Sequence, residues 1–340
     1  MDVLDTIKLW AGNHYFDLKT RTEAKKLLAK DKHSEREECF GSLLEFGTGG
    51  LRGIMGVGTN RINLYTIQMA TEGVARIINK KTDVPNTSGV VIGYDSRHRS
   101  FEFAQMSSQV LAAHGIPVFL FRKIVPTPLV SCELLRRKAI AGIIITASHN
   151  PPEYNGFKVY WENGGMIVPP EDNMIIEEVR NISRIDEIPT VNFKKALHEG
   201  KVVWIDNQAD KYYLNIVKEL SLGERENNNK LGVVYTPLHG TGGRLVPNLL
   251  RQQGFKKVKV VAKQMLPDGD FSTVTSPNPE EINSFAMAQV NACHDDDLIL
   301  ANDPDGDRLG VMVRDAENNW QWLSGNQIGV LILDFVIYTL

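Results

Sequence analysis

Apolar runs that end in polar loops recur along this sequence and alternate with segments of helical spacing. GVVIGYD (Gly89 to Asp95) reads as a buried strand, and FEFAQMSSQVLAAHG (Phe101 to Gly115) as a helix stopped by glycine. IPVFLF is the next strand, TPLVSCELLRRK the next helix and AIAGIIITAS the next strand. Leu64, Ile67, Val74, Ile77 and Ile78 form an earlier apolar stripe on a helix. Strands apolar on both faces, separated by helices, imply a mostly parallel sheet covered on both sides. A second round starts near residue 205. A helix (Gln208 to Leu220) is followed by a polar connector, SLGERENNNK. LGVVYTPLHG, KVKVVAK, DLILANDPDGD and RLGVMVRD then read as strands, and GGRLVPNLLRQQG and EEINSFAMAQVNA as helices.

The fold class is therefore α/β, with two consecutive mixed, mostly parallel α/β/α sandwich domains. At roughly 150 residues per domain, a chain of 340 residues suits this count. The expected boundary between them lies near residue 205, with the first unit 1–205. Residues 166–204 are expected to be irregular and to decorate the first unit. In open α/β sheets, ligands sit at the carboxyl ends of strands. GYDSRHRS, TASHNPP, TPLHGTGG and NDPDGDR all fall there.

A net charge of -3 provides no basic field for nucleic acid or anionic membrane, so neither is an expected partner. Three scattered cysteines, Cys39, Cys132 and Cys293, without CxxC spacing, argue against a disulfide framework or zinc site and for a reducing cytoplasm. The early acids of MDVLDTIKLWAGNHYFD do not read as a signal peptide. IGVLILDFVIYTL (Ile328 to Leu340) is shorter than the roughly 20 residues of a membrane span and is expected to be a core helix. A chain ending inside such a segment also suggests a longer parent protein, or self-association through the exposed apolar face.

NDPDGDR places Asp303, Asp305 and Asp307 at alternating positions, with Gly306 permitting a sharp turn. Three carboxylates so close repel unless a hard cation neutralises them, and Mg²⁺ suits them better than an all-protein Ca²⁺ cage. An EF-hand is excluded, because its glycine and terminal Glu positions hold Arg308 and Arg314. A solvated acidic turn is the alternative, weakened by the strand directly before the loop.

ITASHNPPEYNGFKVY ends a buried strand at Ser148. Serine needs activation to be a nucleophile. His149 is adjacent, but neighbouring side chains in an extended loop point apart, and no G-x-S-x-G elbow is present. Ser148 then reads as a carrier of a phosphoryl group near a divalent cation, or, taken alone, as a strand-end cap. Lys158 adds a cation, or is a solvated surface lysine. FGTGGLRG (Phe46 to Gly53) offers backbone N–H groups to an anion, with Arg52 among them. It is neither a dinucleotide fingerprint, because Arg52 holds the third glycine position, nor a Walker A loop. Arg97 and Arg308 are suited to phosphate or to structural ion pairs. His239 in TPLHGTGG is a phosphate contact or a satisfied structural histidine.

TASHNPPEYNGFKVY, NDPDGDRLGV, FGTGGLRG and TPLHGTGG together resemble the α-D-phosphohexomutase family, over about residues 40 to 330. NGFKVYWENGGMIVPPED and LSGNQIGVLILD look most like its phosphoglucomutase and phosphopentomutase branch. The resemblance implies a phosphoserine at Ser148, with Mg²⁺ held by Asp303, Asp305, Asp307 and a phosphoserine oxygen. Arg52, Lys158 and Arg308 would line the transfer site, with Lys158 a candidate for proton transfer. His149, Asn150, Arg97 and His239 would contact substrate or phosphate. The implied reaction interconverts sugar 1-phosphate and 6-phosphate (glucose or mannose), or pentose 1-phosphate and 5-phosphate, through a sugar bisphosphate that also serves as primer. Family members have four domains, and the third and fourth carry sugar-recognition and phosphate-binding loops. The resemblance places the second domain at 206–320 and only the start of the third at 321–340, so poor turnover is expected of this chain.

Two other readings compete. In a haloacid-dehalogenase-type phosphatase Asp303 would be phosphorylated. That motif usually opens its domain and has Thr after the glycine, where Asp307 stands here. In a non-catalytic sugar-phosphate-binding module, metal and phosphosugar would bind without phosphate exchange.

Overall fold

A computed structural model describes residues 2–47, 50–81, 88–222 and 228–339. Part of the polar connector, residues 223–227, lies outside them.

The first sheet is built from β1 (Phe46–Gly47), β2 (Gly50–Ile54), β3 (Val90–Tyr94), β4 (Val118–Phe121), β5 (Ala141–Ile145), β6 (Tyr154–Trp161) and β7 (Val202–Ile205). Their spatial order is β1-β2-β6-β5-β3-β4-β7. The β5–β3, β3–β4 and β4–β7 ladders are parallel, and β5–β6, β6–β2 and β2–β1 antiparallel. The sheet is thus half antiparallel, because the chain turns back at the serine loop between β5 and β6 instead of crossing over.

Helices α1 (Val3–Gly12), α2 (Leu18–Lys26), α3 (His33–Phe40), α4 (Leu64–Lys80), α5 (Ser100–Ala113), α6 (Thr127–Arg137), α7 (Glu171–Arg180), α8 (Phe193–His198) and α9 (Gln208–Glu219) accompany it. Successive strand residues face opposite layers, as strand geometry requires. Val90, Ile92, Ile143 and Ile145 join the core beneath α4, α5 and α7, while Val91 and Ile144 pack with α6 and α9. Asn63 caps α4 by accepting from the Thr66 amide, and the Thr66 hydroxyl accepts from the Asn63 amide. A separate aromatic cluster, Trp10, Phe16 and Phe40, seats α1–α3 on Tyr65 of α4.

The second sheet contains β8 (Gly232–Thr236), β9 (Lys257–Val260), β10 (Leu298–Asn302), β11 (Leu309–Arg314) and β12 (Trp320–Leu323), in the order β12-β11-β10-β8-β9. β9, β8 and β10 run parallel, and β11 and β12 add antiparallel. α10 (Val246–Gln252), α11 (Ala286–Asn291) and α12 (Gly325–Thr339) complete the chain. Both α10 and α11 follow a 3₁₀ turn, so each is shorter than the helical pattern around it suggests.

Two expectations are corrected. Residues 166–204 are not irregular, since they hold α7, α8 and most of β7, which forms the edge of the first sheet. β7 is only four residues long and exposes Val203 in its middle, so its apolar signal is weak. The C-terminal apolar segment is helical but not core: Val330, Leu331, Ile332, Leu333, Phe335, Ile337 and Tyr338 of α12 are all exposed. No helix among the described residues is long and apolar enough to cross a membrane.

Candidate active site

The serine loop leaves β5 at its carboxyl end. Thr146 Oγ1 accepts from the Ser148 amide at 2.8 Å, which turns the chain at once. Ser148 takes a left-handed conformation, φ 53°, rare for a non-glycine residue. It is buried, and its hydroxyl donates to Asp303 Oδ2 at 2.7 Å, across 155 residues of sequence. The loop is not extended, so the expectation that Ser148 and His149 point apart is wrong. His149 Nδ1 lies 3.3 Å from Ser148 Oγ. Burial, and then Arg308 and Arg52 nearby, push the imidazole below its usual range, which keeps it neutral.

Arg97 lies beneath this loop. It donates to the carbonyl oxygens of Ser148 and Pro151 (both 2.7 Å), Tyr154 (3.0 Å) and Asn150. Asp95 is its ion-pair partner at 3.3 Å, and the Phe271 ring covers the guanidinium. The Arg97 side chain is fully buried. The phosphate-contacting reading of Arg97 is therefore corrected: its guanidinium is committed to loop carbonyls, which need donors once removed from water.

The acidic loop leaves β10. Asn302 Nδ2 donates to the Arg308 carbonyl at 2.6 Å, and Asp303 Oδ1 accepts from the Arg308 amide at 3.0 Å. These bonds close the loop around Gly306, whose φ is +69°. Lys158 Nζ, on β6, donates to Asp305 Oδ2 at 2.7 Å and to Asp307 Oδ2 at 3.0 Å. Carboxylate oxygens of Asp303, Asp305 and Asp307 lie within 4.8 Å of one another. Burial, reinforced by Asp305 and Asp307, pushes the Asp303 carboxyl well up. Burial opposes ionisation of Asp305 too, but Lys158 overrides it and holds that carboxyl low. Burial would lower Lys158, and Asp305 and Asp307 outweigh it, so Lys158 is held as an ammonium.

Lys158 thus bonds two of the three carboxylates, and Asp303 is held by the neutral Ser148 hydroxyl and Arg308 amide. Asp305 Oδ1 is buried with no hydrogen-bond donor. Hard oxygen donors, an excess of negative charge and a bare buried oxygen fit a divalent cation such as Mg²⁺.

Ser148, Lys158, Arg52, Asp307 and Arg308 line one open cleft of about 1050 Å³, together with Gly47, Gly50 and Met166. Arg52 reaches Asn150 Oδ1 at 3.3 Å, and Arg308 pairs with Glu280 at 2.9 Å. Gly50 adopts φ +87° and packs against the Lys158 backbone, where a side chain would collide. Thr48 and Gly49, the centre of the expected glycine cradle, lie outside the described residues.

His239 is not brought to this cleft. Its ring nitrogens engage the Leu266 carbonyl (2.9 Å) and Thr273 Oγ1 (2.8 Å) inside the second unit, which corrects its phosphate-binding reading. Sequence reasoning missed Thr127, which contacts Asp305, and Glu280, which holds Arg308. The segment IVPTP after β4 is a further strand-end loop and was the available signal for Thr127.

Comparison with known proteins bears on this constellation. The family model described as phosphoglucomutase/phosphomannomutase, alpha/beta/alpha domain I, matches residues 43–186, and that for domain II matches residues 210–317. A phosphopentomutase of Pongo abelii is 35% identical over 334 aligned positions, covering 92% of this chain and 52% of that protein. A phosphoglucomutase of Staphylococcus aureus (strain MRSA252) is 39% identical over 308, covering 89% and 54%. The chain thus spans about half the length of these curated relatives. A Burkholderia thailandensis phosphoglucomutase/phosphomannomutase family protein of known structure superposes with TM-score 0.67 at 22% identity, covering 86% of this chain and 58% of that one. At that identity the likeness concerns the fold.

Proposed function

Because the chain belongs to the phosphoglucomutase/phosphomannomutase family of α-D-phosphohexomutases, we propose that it carries the phosphoryl-transfer centre of a phosphosugar mutase, with Ser148 as the residue that gives and receives phosphate. The single observation behind this is the 2.7 Å contact that sets Ser148 Oγ on the acidic loop of the other domain. On the outward step the P–Oγ bond breaks and a P–O bond to a sugar hydroxyl forms. The hydroxyl proton leaves to an acceptor at the site, and Ser148 Oγ regains a proton. The bisphosphate turns over, and the return step reverses these changes with its other phosphate. The net reaction is sugar 1-phosphate to 6-phosphate.

Phosphoryl transfer requires positioning and charge neutralisation more than covalent protein chemistry. Asp303, Asp305, Asp307 and an oxygen of phosphorylated Ser148 would hold Mg²⁺, whose contribution there is neutralisation of phosphoryl charge. Arg52 and Arg308, both lining the cleft, supply guanidinium groups for phosphate oxygens. Lys158, held as an ammonium, acts as a cation and proton donor before it can act as a base. His149 is neutral and directed at Ser148 Oγ, which suits it to phosphate contact. Asn150 orients Arg52.

The first reading of the substrate is glucose or mannose phosphate. Ribose or deoxyribose phosphate is the second reading, favoured by the likeness to the Pongo abelii phosphopentomutase. A sugar 1,6-bisphosphate is the expected primer. The length relation to the relatives supports one more proposal: these 340 residues exchange phosphate but turn sugar over slowly, or only bind it. The cytoplasmic reading is supported by three free cysteines. Labelled glucose 1,6-bisphosphate, incubated with the protein and Mg²⁺, tests the core of this account. Label retained on Ser148 supports it, and phosphosugar binding without label transfer supports the non-catalytic reading instead.

A further inference from the structure

Thr127 belongs to none of the loops that define the site, yet it reaches the acidic loop with both backbone and side chain. It opens α6 between Pro126 and Pro128 and is buried. The first amides of a helix lack intrahelical acceptors. That of Thr127 donates to the Asp305 carbonyl at 2.8 Å, and its hydroxyl donates to Asp305 Oδ2 at 3.2 Å. Lys158 takes the same carboxylate oxygen, which leaves Oδ1 bare. The loop lies flush against this corner: a Cβ on Gly306 would come 2.9 Å from Pro126 Cβ. On its other side the Thr241 amide holds the Pro304 carbonyl at 2.8 Å. Domain I therefore grips the domain II loop from one side and closes one oxygen of its central carboxylate.

Outer hydrogen bonds of this kind fix which oxygen of a carboxylate faces a metal and how firmly. We propose that Thr127 is a positioning residue that presents Asp305 Oδ1 to the divalent cation and, through the same contact, sets the acidic loop in register with Ser148. The inference rests on the reading of the three aspartates as a cation site.

The test titrates Mn²⁺ against the full 340-residue chain and counts free ion by electron paramagnetic resonance. Wild type, Thr127→Val, Thr127→Ser and Asp305→Asn are compared, with melting temperatures taken in parallel. Valine keeps the shape and the amide contact but removes the hydroxyl. The expected result is a loss of affinity of about tenfold in Thr127→Val, near-wild-type affinity in Thr127→Ser, and little change in melting temperature for either. If circular dichroism shows the valine variant unfolded, Thr127→Ala takes its place. A loss below about threefold on removing the hydroxyl, or an equal loss in the serine variant, overturns the proposal. Absence in wild type of any Mn²⁺ binding that Asp305→Asn removes overturns the cation-site reading itself, and with it the role of Thr127.

Discussion

Arg97 and Lys158 are both cations beside the serine loop, and their surroundings give them different tasks. The four carbonyl acceptors and one carboxylate around Arg97 match a planar five-donor guanidinium, which a lysine ammonium cannot reproduce. Arg97→Lys is expected to cost about 3 kcal/mol or more in urea unfolding, because several buried acceptors lose their donors. A loss under about 1 kcal/mol would show that the loop closes without it. Glu72 gives a pH-dependent case. Its carboxylate is buried between His114 Nε2 at 2.6 Å and Arg76 Nε at 2.7 Å. Burial alone would raise its carboxyl, but His114 and Arg76 prevail and hold it below the ordinary 4.5. The unfolded state then binds that proton more tightly. The stabilisation is full above the unfolded value and lost as pH falls through the folded one. Glu72→Gln is expected to be less stable than wild type near pH 7, with the gap closing below about pH 4. A gap that stays constant on acidification would rule out the charge-based account.

The elements that the sequence showed plainly are those with strong periodicity. β3 and β5 are fully buried apolar runs, and α4 carries its stripe over 17 residues. β7 and α8 did not stand out, because four and six residues give a period little room to appear. The acidic loop was legible because its chemistry is local, and Gly306 turns where a glycine was anticipated. Arg97 and His239 were misassigned because a buried arginine or histidine has the same letter as an exposed one. Only the packing of Phe271, Leu266 and Thr273 around them reveals what they hold. Ser148 was placed on an extended loop, and its left-handed backbone brings His149 to it. α12 was read as core because its apolar run is too short to span a membrane, yet most of its apolar residues face solvent. Replacing Leu331 and Leu333 together by Gln is therefore expected to shift the melting free energy by no more than about 0.5 kcal/mol. A cost of 2 kcal/mol or more, about what a buried leucine contributes, would mean that the helix packs on this chain.

At the scale of the whole molecule, the site exists only where the two α/β units meet. Ser148 on Asp303, Thr127 and Lys158 on Asp305, His98 on Asp270, and Arg97 on Phe271 all cross that seam. A ligand that binds the seam only when it is assembled must stabilise the fold by mass action. Mg²⁺ at about a hundred times its dissociation constant is expected to add about 2.7 kcal/mol, a rise of several degrees in melting temperature. Asp305→Asn should abolish the rise, and a rise that survives this change would place the ion elsewhere. The central claim is that Ser148 carries the phosphoryl group. Intact mass and a phosphosite map, before and after incubation with glucose 1,6-bisphosphate and Mg²⁺, test it most directly. The account predicts a gain of one phosphoryl group, mapped to Ser148 and absent in Ser148→Ala. Phosphate on Asp303 or any other residue, or no gain on a protein that binds Mg²⁺, would contradict it.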